Sequence, residues 1–243
     1  MRSEVHNIDC LEYMRTLPDK AFTLAVADPP YGVDYARGKN GFGVTVDKLP
    51  TREDTKWDVV PDKAFFDELL RVSENVIIWG GNYFTHLLPV SKCWLVWDKC
   101  NGMENKSVFA DCELAWTNMT KVVKMFSMRQ LGFISETTDG DRIHPTQKPT
   151  ELYGWIYRTF SIEDATIFDP MMGSQSSRIA AYKMGFDYIG CEIDEEYFTK
   201  GCERFDRECR GITKTKSGRV LIQPSLFDNV IRDPFAAINV QKK

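Results

Sequence analysis

An α/β fold with a mixed, mostly parallel sheet and helices on both faces is what this sequence predicts, and three observations carry it. Short apolar runs alternate with segments of helical periodicity along most of the 243 residues. The helical segments carry their own punctuation, with Pro61 opening one and Gly185 closing another. Two apolar runs end in an aspartate at a turn, Ala27-Asp28-Pro29 and Phe168-Asp169-Pro170. Residues at the carboxyl ends of strands are where an open α/β sheet binds ligands.

The elements follow in order. Glu4–Asp9 reads as a first strand and Cys10–Leu17 as a short helix. Phe22–Ala27 is a buried strand that Pro29, having no amide hydrogen, stops at Asp28. Residues 34–58 are rich in glycine and charge and read as a long loop. A helix runs from Pro61 through Val72, with Phe65, Phe66, Leu69 and Leu70 forming its apolar face. Asn75–Trp79, Cys93–Asp98 and Cys112–Thr117 are strands, and 118–143 reads as irregular and basic. Then come a helix from Pro149 to Phe160, a strand over Thr166–Phe168, a helix over Ser174–Met184, a strand over Tyr188–Glu192 and a charged helix from Asp194 to about Arg210. Beyond it, residues 212–243 read as a tail with little regular pattern.

Composition narrows the classes. At 43% hydrophobic the chain buries a sizeable core as one large domain, and no apolar run reaches the length of a membrane span. No secretory signal is evident, and seven cysteines without a Cys-x-x-Cys pair argue against a disulfide framework and against a zinc site. A reducing cytoplasm is the expected compartment, and no metal is expected. The net charge of −4 argues against a protein that coats nucleic acid indiscriminately, while leaving room for a local basic groove. Arg37 and Lys39 in one segment, and Lys121, Lys124 and Arg129 in another, are its candidates.

Two stretches carry chemistry. In Ile167–Asp194 a strand ends in Asp169, a tight turn holds Gly173, a helix begins at Ser174, and a second strand ends in Glu192, 23 positions after Asp169. That spacing suits a carboxylate accepting the hydroxyls of a ribose. With a single glycine in the turn, a ligand with ribose but no pyrophosphate fits better, and S-adenosylmethionine is such a ligand, its carboxylate suited to a helix N-terminus. The other stretch is Asp28-Pro29-Pro30-Tyr31, whose bland reading is a proline turn with a surface tyrosine.

With both stretches in view, the chain resembles the β class of DNA amino-methyltransferases, in which the Asp-Pro-Pro-Tyr motif precedes the cofactor motif by circular permutation. "NIDCLEYMRTLPDKAFTLAVADPPYG" is similar to that family's N-terminal block, "HPTQKP" (His144–Pro149) to the motif before its cofactor strand, and "NVIIWGGNYF" and "CWLVWDK" to segments of its phage-type members. The likeness runs over about residues 5–205 in one order. One departure stands out: where the family usually has Gly-Ser-Gly-Thr-Thr, this chain has Gly173-Ser174-Gln175-Ser176-Ser177, and Gln175 adds bulk where a glycine lets the backbone approach the ligand.

The resemblance implies a Rossmann-like methyltransferase domain over residues 1–211, a target-recognition segment at 118–143 and a C-terminal tail at 212–243. It implies S-adenosylmethionine as cofactor, with Asp9 and Cys10 at its adenine, Glu192 at its ribose, Asp169, Gly173 and Ser174 at its methionine portion, and His144, Thr146 and Lys148 lining the carboxylate end. It implies double-stranded DNA as partner, with a target base flipped out of the helix. Asp28 and the Pro29 carbonyl would accept both hydrogens of the exocyclic amine, Pro29 and Pro30 would hold that carbonyl rigidly, and Tyr31 would stack on the base, worth about 1–3 kcal/mol. Aspartate before Pro-Pro-Tyr favours adenine N6, with cytosine N4 as the alternative. A SAM-fold module without catalysis is a further alternative, whereas a nicotinamide oxidoreductase fails for want of Gly-x-Gly-x-x-Gly. The recognition segment is short, so a short target site is expected, or help from a second subunit or from the 34–58 loop. Finally, Gln223, Leu226 and Phe227 resemble the peptide by which bacterial DNA enzymes bind the sliding clamp, against the alternative that they pack on the protein itself.

Overall fold

The computed structural model describes residues 1–32, 59–105, 110–131, 134–137, 139–140, 142–144, 146–160, 164–214 and 220–222. The whole 34–58 loop, with Arg37 and Lys39, and the Gln223–Phe227 peptide lie outside them. In chain order the elements are β1 (Ser3–His6), α1 (Cys10–Arg15), β2 (Phe22–Ala27), α2 (Lys63–Val72), β3 (Ser73–Trp79), a 3-10 turn (Gly81–Tyr83), β4 (Trp94–Asp98) and β5 (Cys112–Thr117). They continue with β6 (Lys124–Ser127), β7 (Gln130–Leu131), β8 (Ile134–Ser135), α3 (Thr150–Phe160), β9 (Thr166–Asp169), α4 (Ser176–Met184), β10 (Asp187–Cys191), α5 (Glu195–Arg210), β11 (Ile212–Lys214) and β12 (Val220–Ile222).

The chain divides into two compact units. The first comprises Met1–Ala27, Leu69–Val76 and Thr137–Lys243. Its strand order is β1-β10-β9-β2 and then the first half of β3. The pairs β1–β10, β10–β9 and β9–β2 are all parallel, as in Ser3↔Tyr188, Tyr188↔Ile167 and Leu24↔Ile167. Strands from the last third of the chain thus sit between the first two, which is the permuted order. Parallel strands need covering on both faces, and β2 is accordingly buried along nearly its whole length. Phe22 and Phe168 stack at 4.3 Å between ring centroids in this core.

The second unit comprises Asp28–Glu68 and Ile77–Glu136. Here β5 runs antiparallel to both β3 and β4, and β6 pairs parallel with β4, Leu95 opposite Lys124. Trp79, Trp97 and Trp116 form the bulk of its buried core. Two expectations change at this level. The 118–143 segment is not irregular throughout, because Lys124–Ser127 is the sheet's edge strand. Its exposed Lys124 and Met125 disguise it, since an edge strand needs no buried face to earn its ladder hydrogen bonds. The 212–243 stretch likewise begins with a short antiparallel pair, β11 with β12.

Helix ends follow local chemistry. Asp9 caps α1, its Oδ1 accepting from Leu11 N at 2.7 Å and Glu12 N at 3.1 Å. Asp194 caps α5 by accepting from Tyr197 N at 2.9 Å. Gly185 closes α4 with φ +80°, the Gly185 and Phe186 amides donating back to Tyr182 and Ala181. The expected start of α4 at Ser174 moves to Ser176, because Gln175 adopts a left-handed conformation that no helix continues through.

A buried cation ties the first unit together. Arg204 of α5 is fully buried, and its five N–H donors meet five acceptors. Nε donates to Glu208 Oε1 (2.8 Å), Nη1 to the Ser174 carbonyl (3.0 Å) and Ser176 Oγ (2.8 Å), and Nη2 to Thr150 Oγ1 (3.3 Å), with Asp139 Oδ2 at 3.1 Å. Asp139 also accepts from the Thr150 amide at 3.0 Å. Burial pushes the Asp139 carboxyl up, and the Arg204 charge opposes that shift. Arg204→Met would leave the buried Asp139 carboxylate without this cation, and we expect about 3–5 kcal/mol of lost stability. Urea unfolding followed by circular dichroism checks this, and a loss below about 1 kcal/mol would mean that the cluster is not structural.

Candidate active site and cofactor cradle

In the first unit the parallel ladder brings the carboxyl ends of β1, β9 and β10 to one edge, and the residues that follow them are stitched together by backbone bonds. Glu192 N donates to His6 O at 3.1 Å, and Met172 N donates to Cys191 O at 3.0 Å. Asn7 Nδ2 donates to Glu192 O at 2.7 Å. Asp9 stands at the start of α1, Asp169 at the end of β9 and Glu192 directly after β10.

Each carboxylate is held by a defined partner. The Glu192 oxygens accept from Gly173 N and Asp194 N, each at 2.9 Å. Burial raises its pKa, and those amides oppose the shift. Asp169 is buried, accepts from Met171 N at 3.1 Å through Oδ1, and accepts from the Ser177 hydroxyl through Oδ2. The Ser177 proton being committed there, Tyr188 OH donates to Ser177 Oγ at 3.0 Å, and Tyr157 OH donates to the Ser177 carbonyl at 3.2 Å. Burial, then the Asp169 charge, pushes both phenols well above their usual range. Burial, with Asp9 and Glu192 nearby, pushes the Cys10 thiol up to about 12, so it packs as a neutral apolar group.

The HPTQKP segment joins this cradle. A Cβ built on Gly173, whose φ is +45°, would lie 3.6 Å from the His144 ring. His144 packs edge-on against Tyr197, with centroids 4.3 Å apart. Its Nδ1 accepts from Thr146 N at 3.3 Å and lies 3.1 Å from Thr146 Oγ1, which puts the ring proton on Nε2. Burial, with Lys148 and Arg142 nearby, lowers the His144 pKa to about 4. Lys148 is itself buried.

The donor set suits S-adenosylmethionine. Three carboxylates, those of Asp9, Asp169 and Glu192, concentrate negative potential at one strand edge, which favours a cationic ligand bearing hydroxyl and amine donors. Engaged carboxylate oxygens keep lone pairs for further donors. The first turn of α4 receives no side-chain cap from Gln175, so its amides suit a carboxylate.

The second unit holds Asp28-Pro29-Pro30-Tyr31, which follows β2 directly. Tyr31 OH donates to Asp28 Oδ1 at 2.8 Å. The Tyr31 ring stacks on half-exposed Tyr83 at 5.1 Å and meets Phe84 edge-on at 6.1 Å. Gly80, with φ +68°, lies so close that an added Cβ would come within 2.2 Å of the ring. Tyr31 is therefore no loose surface tyrosine. Of the basic candidates, Lys121 and Lys124 are exposed and Arg129 is half-buried, its amide bonded to Glu136 Oε2 at 3.1 Å. Sequence reasoning missed Ser177, Tyr188, Arg204, Gly80 and Tyr83. The i, i+3, i+4, i+8 spacing of Gly201, Arg204, Phe205 and Cys209 marked the inward face of α5.

Two outcomes are expected. In an NMR titration His144 should have a midpoint near 4. Because its pKa is depressed in the folded state, the stability linked to it is complete above the unfolded value of 6.5 and is lost as pH falls toward 4. A midpoint of 6.5 would put the ring in solvent. Gly80→Ala should displace Tyr31 and change tyrosine fluorescence with a modest fall in Tm, and unchanged emission and Tm would show that the contact yields freely.

Known proteins are similar to this chain in sequence and in fold. Residues 96–202 match a family model described as DNA methylase. The chain is 26% identical over 204 residues to YubD of Escherichia coli K12, provisionally named a methylase, covering 81% of this chain and 87% of that one. TTHA0409 of Thermus thermophilus, provisionally described as a DNA modification methylase and solved with S-adenosyl-L-methionine, has the same fold, with a TM-score of 0.54 and 17% identity over 86% of this chain and 95% of that one. The cytosine-N4-specific PvuII DNA methyltransferase also matches, with a TM-score of 0.54 and 13% identity over 84% of this chain and 86% of that one. Over residues 96–202 the chain is thus similar to DNA methylases, and over most of its length it shares the fold of TTHA0409.

Proposed function

We propose that this protein transfers a methyl group from S-adenosylmethionine to the exocyclic N6 of a flipped-out adenine in double-stranded DNA. The observation that carries the reading is the ordered acid–aromatic pair of the Asp-Pro-Pro-Tyr motif, Tyr31 OH on Asp28 Oδ1 with Gly80 against the ring. A bare proline turn would need neither contact.

An amine conjugated to a base ring is a poor nucleophile, because its lone pair is delocalised. The Asp28 carboxylate and the Pro29 carbonyl accept its two hydrogens and turn the lone pair out of the ring plane. For this the target amine replaces the Tyr31 phenol at Asp28 Oδ1, and the Tyr31 ring stacks on the base. When bound, S-adenosylmethionine supplies an electrophilic sulfonium methyl. Asp9, Asp169, Gly173, Ser174 and Glu192 hold the cofactor, with His144, Thr146 and Lys148 lining its carboxylate end. The neutral His144 packs there without adding a charge. Asp28 or water takes the proton that the methylated amine releases. Orientation supplies much of the rate. Exposed Lys121 and Lys124, with Arg129, would contact phosphates rather than bases.

Cytosine N4 is the second reading, favoured by the match to a cytosine-N4-specific enzyme at a TM-score of 0.54. Nucleoside mass spectrometry of DNA incubated with enzyme and cofactor separates the two, and we expect N6-methyladenine. N4-methylcytosine in its place would overturn the choice of base, and neither product would overturn the reading as a DNA methyltransferase. Asp28→Ala should abolish transfer while leaving S-adenosylmethionine affinity within about threefold by calorimetry. Full activity in that variant would remove Asp28 from the chemistry.

A further inference from the structure

Gln175 stands where the sequence suggests that bulk would obstruct the cofactor turn, yet its side chain is not in the turn. The residue is fully buried, with a left-handed backbone at φ 61°. Its Nε2 lies 3.3 Å from Cys202 Sγ and 3.4 Å from the Phe198 carbonyl, both on α5, and its Oε1 accepts from Arg178 Nη1 at 2.8 Å. Arg178 is anchored in turn, its guanidinium lying 3.7 Å from the Phe205 ring centroid and its Nε donating to Ser3 Oγ at 3.0 Å. The space for Gln175 comes from Gly201: a Cβ there would fall 2.8 Å from both Cγ and Nε2 of Gln175. On the backbone, Gln175 N donates to Met172 O at 2.7 Å, and Ile179 N donates to Gln175 O at 3.0 Å.

A non-glycine residue holds a left-handed conformation only when its surroundings over-determine it. Here they do, through the side chain. We propose that Gln175 is a positioning residue that pins the Gly173–Ser174 turn in its cofactor-binding conformation by anchoring it to α5, and that Gly201 is its obligate partner. This rests on the reading of that turn as the S-adenosylmethionine cradle. The bulk that looks obstructive lies on the far side of the turn and replaces a glycine's conformational freedom with fixed geometry. Lower freedom before binding means less ordering on binding, which favours affinity.

The experiment is a double-mutant cycle on the full chain, read by calorimetric titration with S-adenosylmethionine, by hydrogen exchange of the 170–176 peptide and by Tm. Gln175→Gly removes the anchor, and Gly201→Ala drives a methyl into it. Each should weaken cofactor binding about tenfold, which is about 1.4 kcal/mol, and speed exchange at residues 170–176. The double variant should bind like Gln175→Gly alone, because the atom that the new methyl strikes is gone. Ile179→Val, a buried change on the same helix, serves as the stability control and should lower Tm without moving affinity. Unchanged affinity in Gln175→Gly, or losses that simply add in the double variant, would overturn the proposal while the cofactor reading stands. No binding by the unmutated protein would overturn both. If Gly201→Ala does not fold, Gln175→Gly decides alone.

Discussion

The guanidinium of Arg204 is the interaction on which the first unit depends. A cation taken wholly out of water is tolerable only if every donor is matched, because an unmatched buried donor forfeits its full hydration. Matching five donors draws in α3 through Thr150, α5 through Glu208, the segment before α3 through Asp139, and the turn before α4 through the Ser174 carbonyl and Ser176 hydroxyl. The turn is thereby fixed to two helices by charge-assisted bonds rather than by its own short-range geometry.

A second network of the same kind fixes the strand end beside it. Asp169 is buried at the end of β9, and the chain Tyr188 to Ser177 to Asp169 keeps that carboxylate solvated by hydroxyls instead of water. Ser177 belongs to α4, Tyr188 to β10 and Asp169 to β9, so the three elements of one βαβ unit share a single polar core. Arg178 and Gln175 extend the arrangement to α5. The cradle is rigid for this reason and not through close-packed glycine backbone.

The second unit uses a different principle. Among the described residues Tyr31 is restrained by the hydrogen bond to Asp28, by stacking on half-exposed Tyr83, by the edge of Phe84 and by the close approach of Gly80. The phenol is a neutral donor to Asp28, and one neutral donor can replace another at modest cost. Rigidity around the cradle and replaceable contacts around Asp28 suit a residue set in which one ligand is gripped and another is admitted.

Much of this was legible in the sequence, because it depends on short-range chemistry. Period, proline and glycine punctuation located all five helices and seven of the twelve strands among the described residues, and Gly185 as a terminator needs only neighbours within four residues. The acids at strand ends were visible because β9 finishes in Asp169 and β10 is followed directly by Glu192, each after an apolar run. The edge strand Lys124–Ser127 was not visible, since its face is exposed and its ladder bonds lie with β4, some thirty positions earlier. Gln175 was read by its size alone. Which side of the turn that size occupies is set by Gly201, Arg178 and Cys202. The spacing along α5 puts Arg204 on the inward face, but only tertiary packing encloses it with five acceptors from segments up to 65 residues away. The sequence by itself therefore determined the helices, most of the strands, their order and the acids at strand ends, because those follow from local backbone preference and apolar period. The tertiary structure alone decided the burial of Arg204, the direction of Gln175 and the restraint on Tyr31, because a buried polar group takes its partners from whatever the fold brings within hydrogen-bond reach.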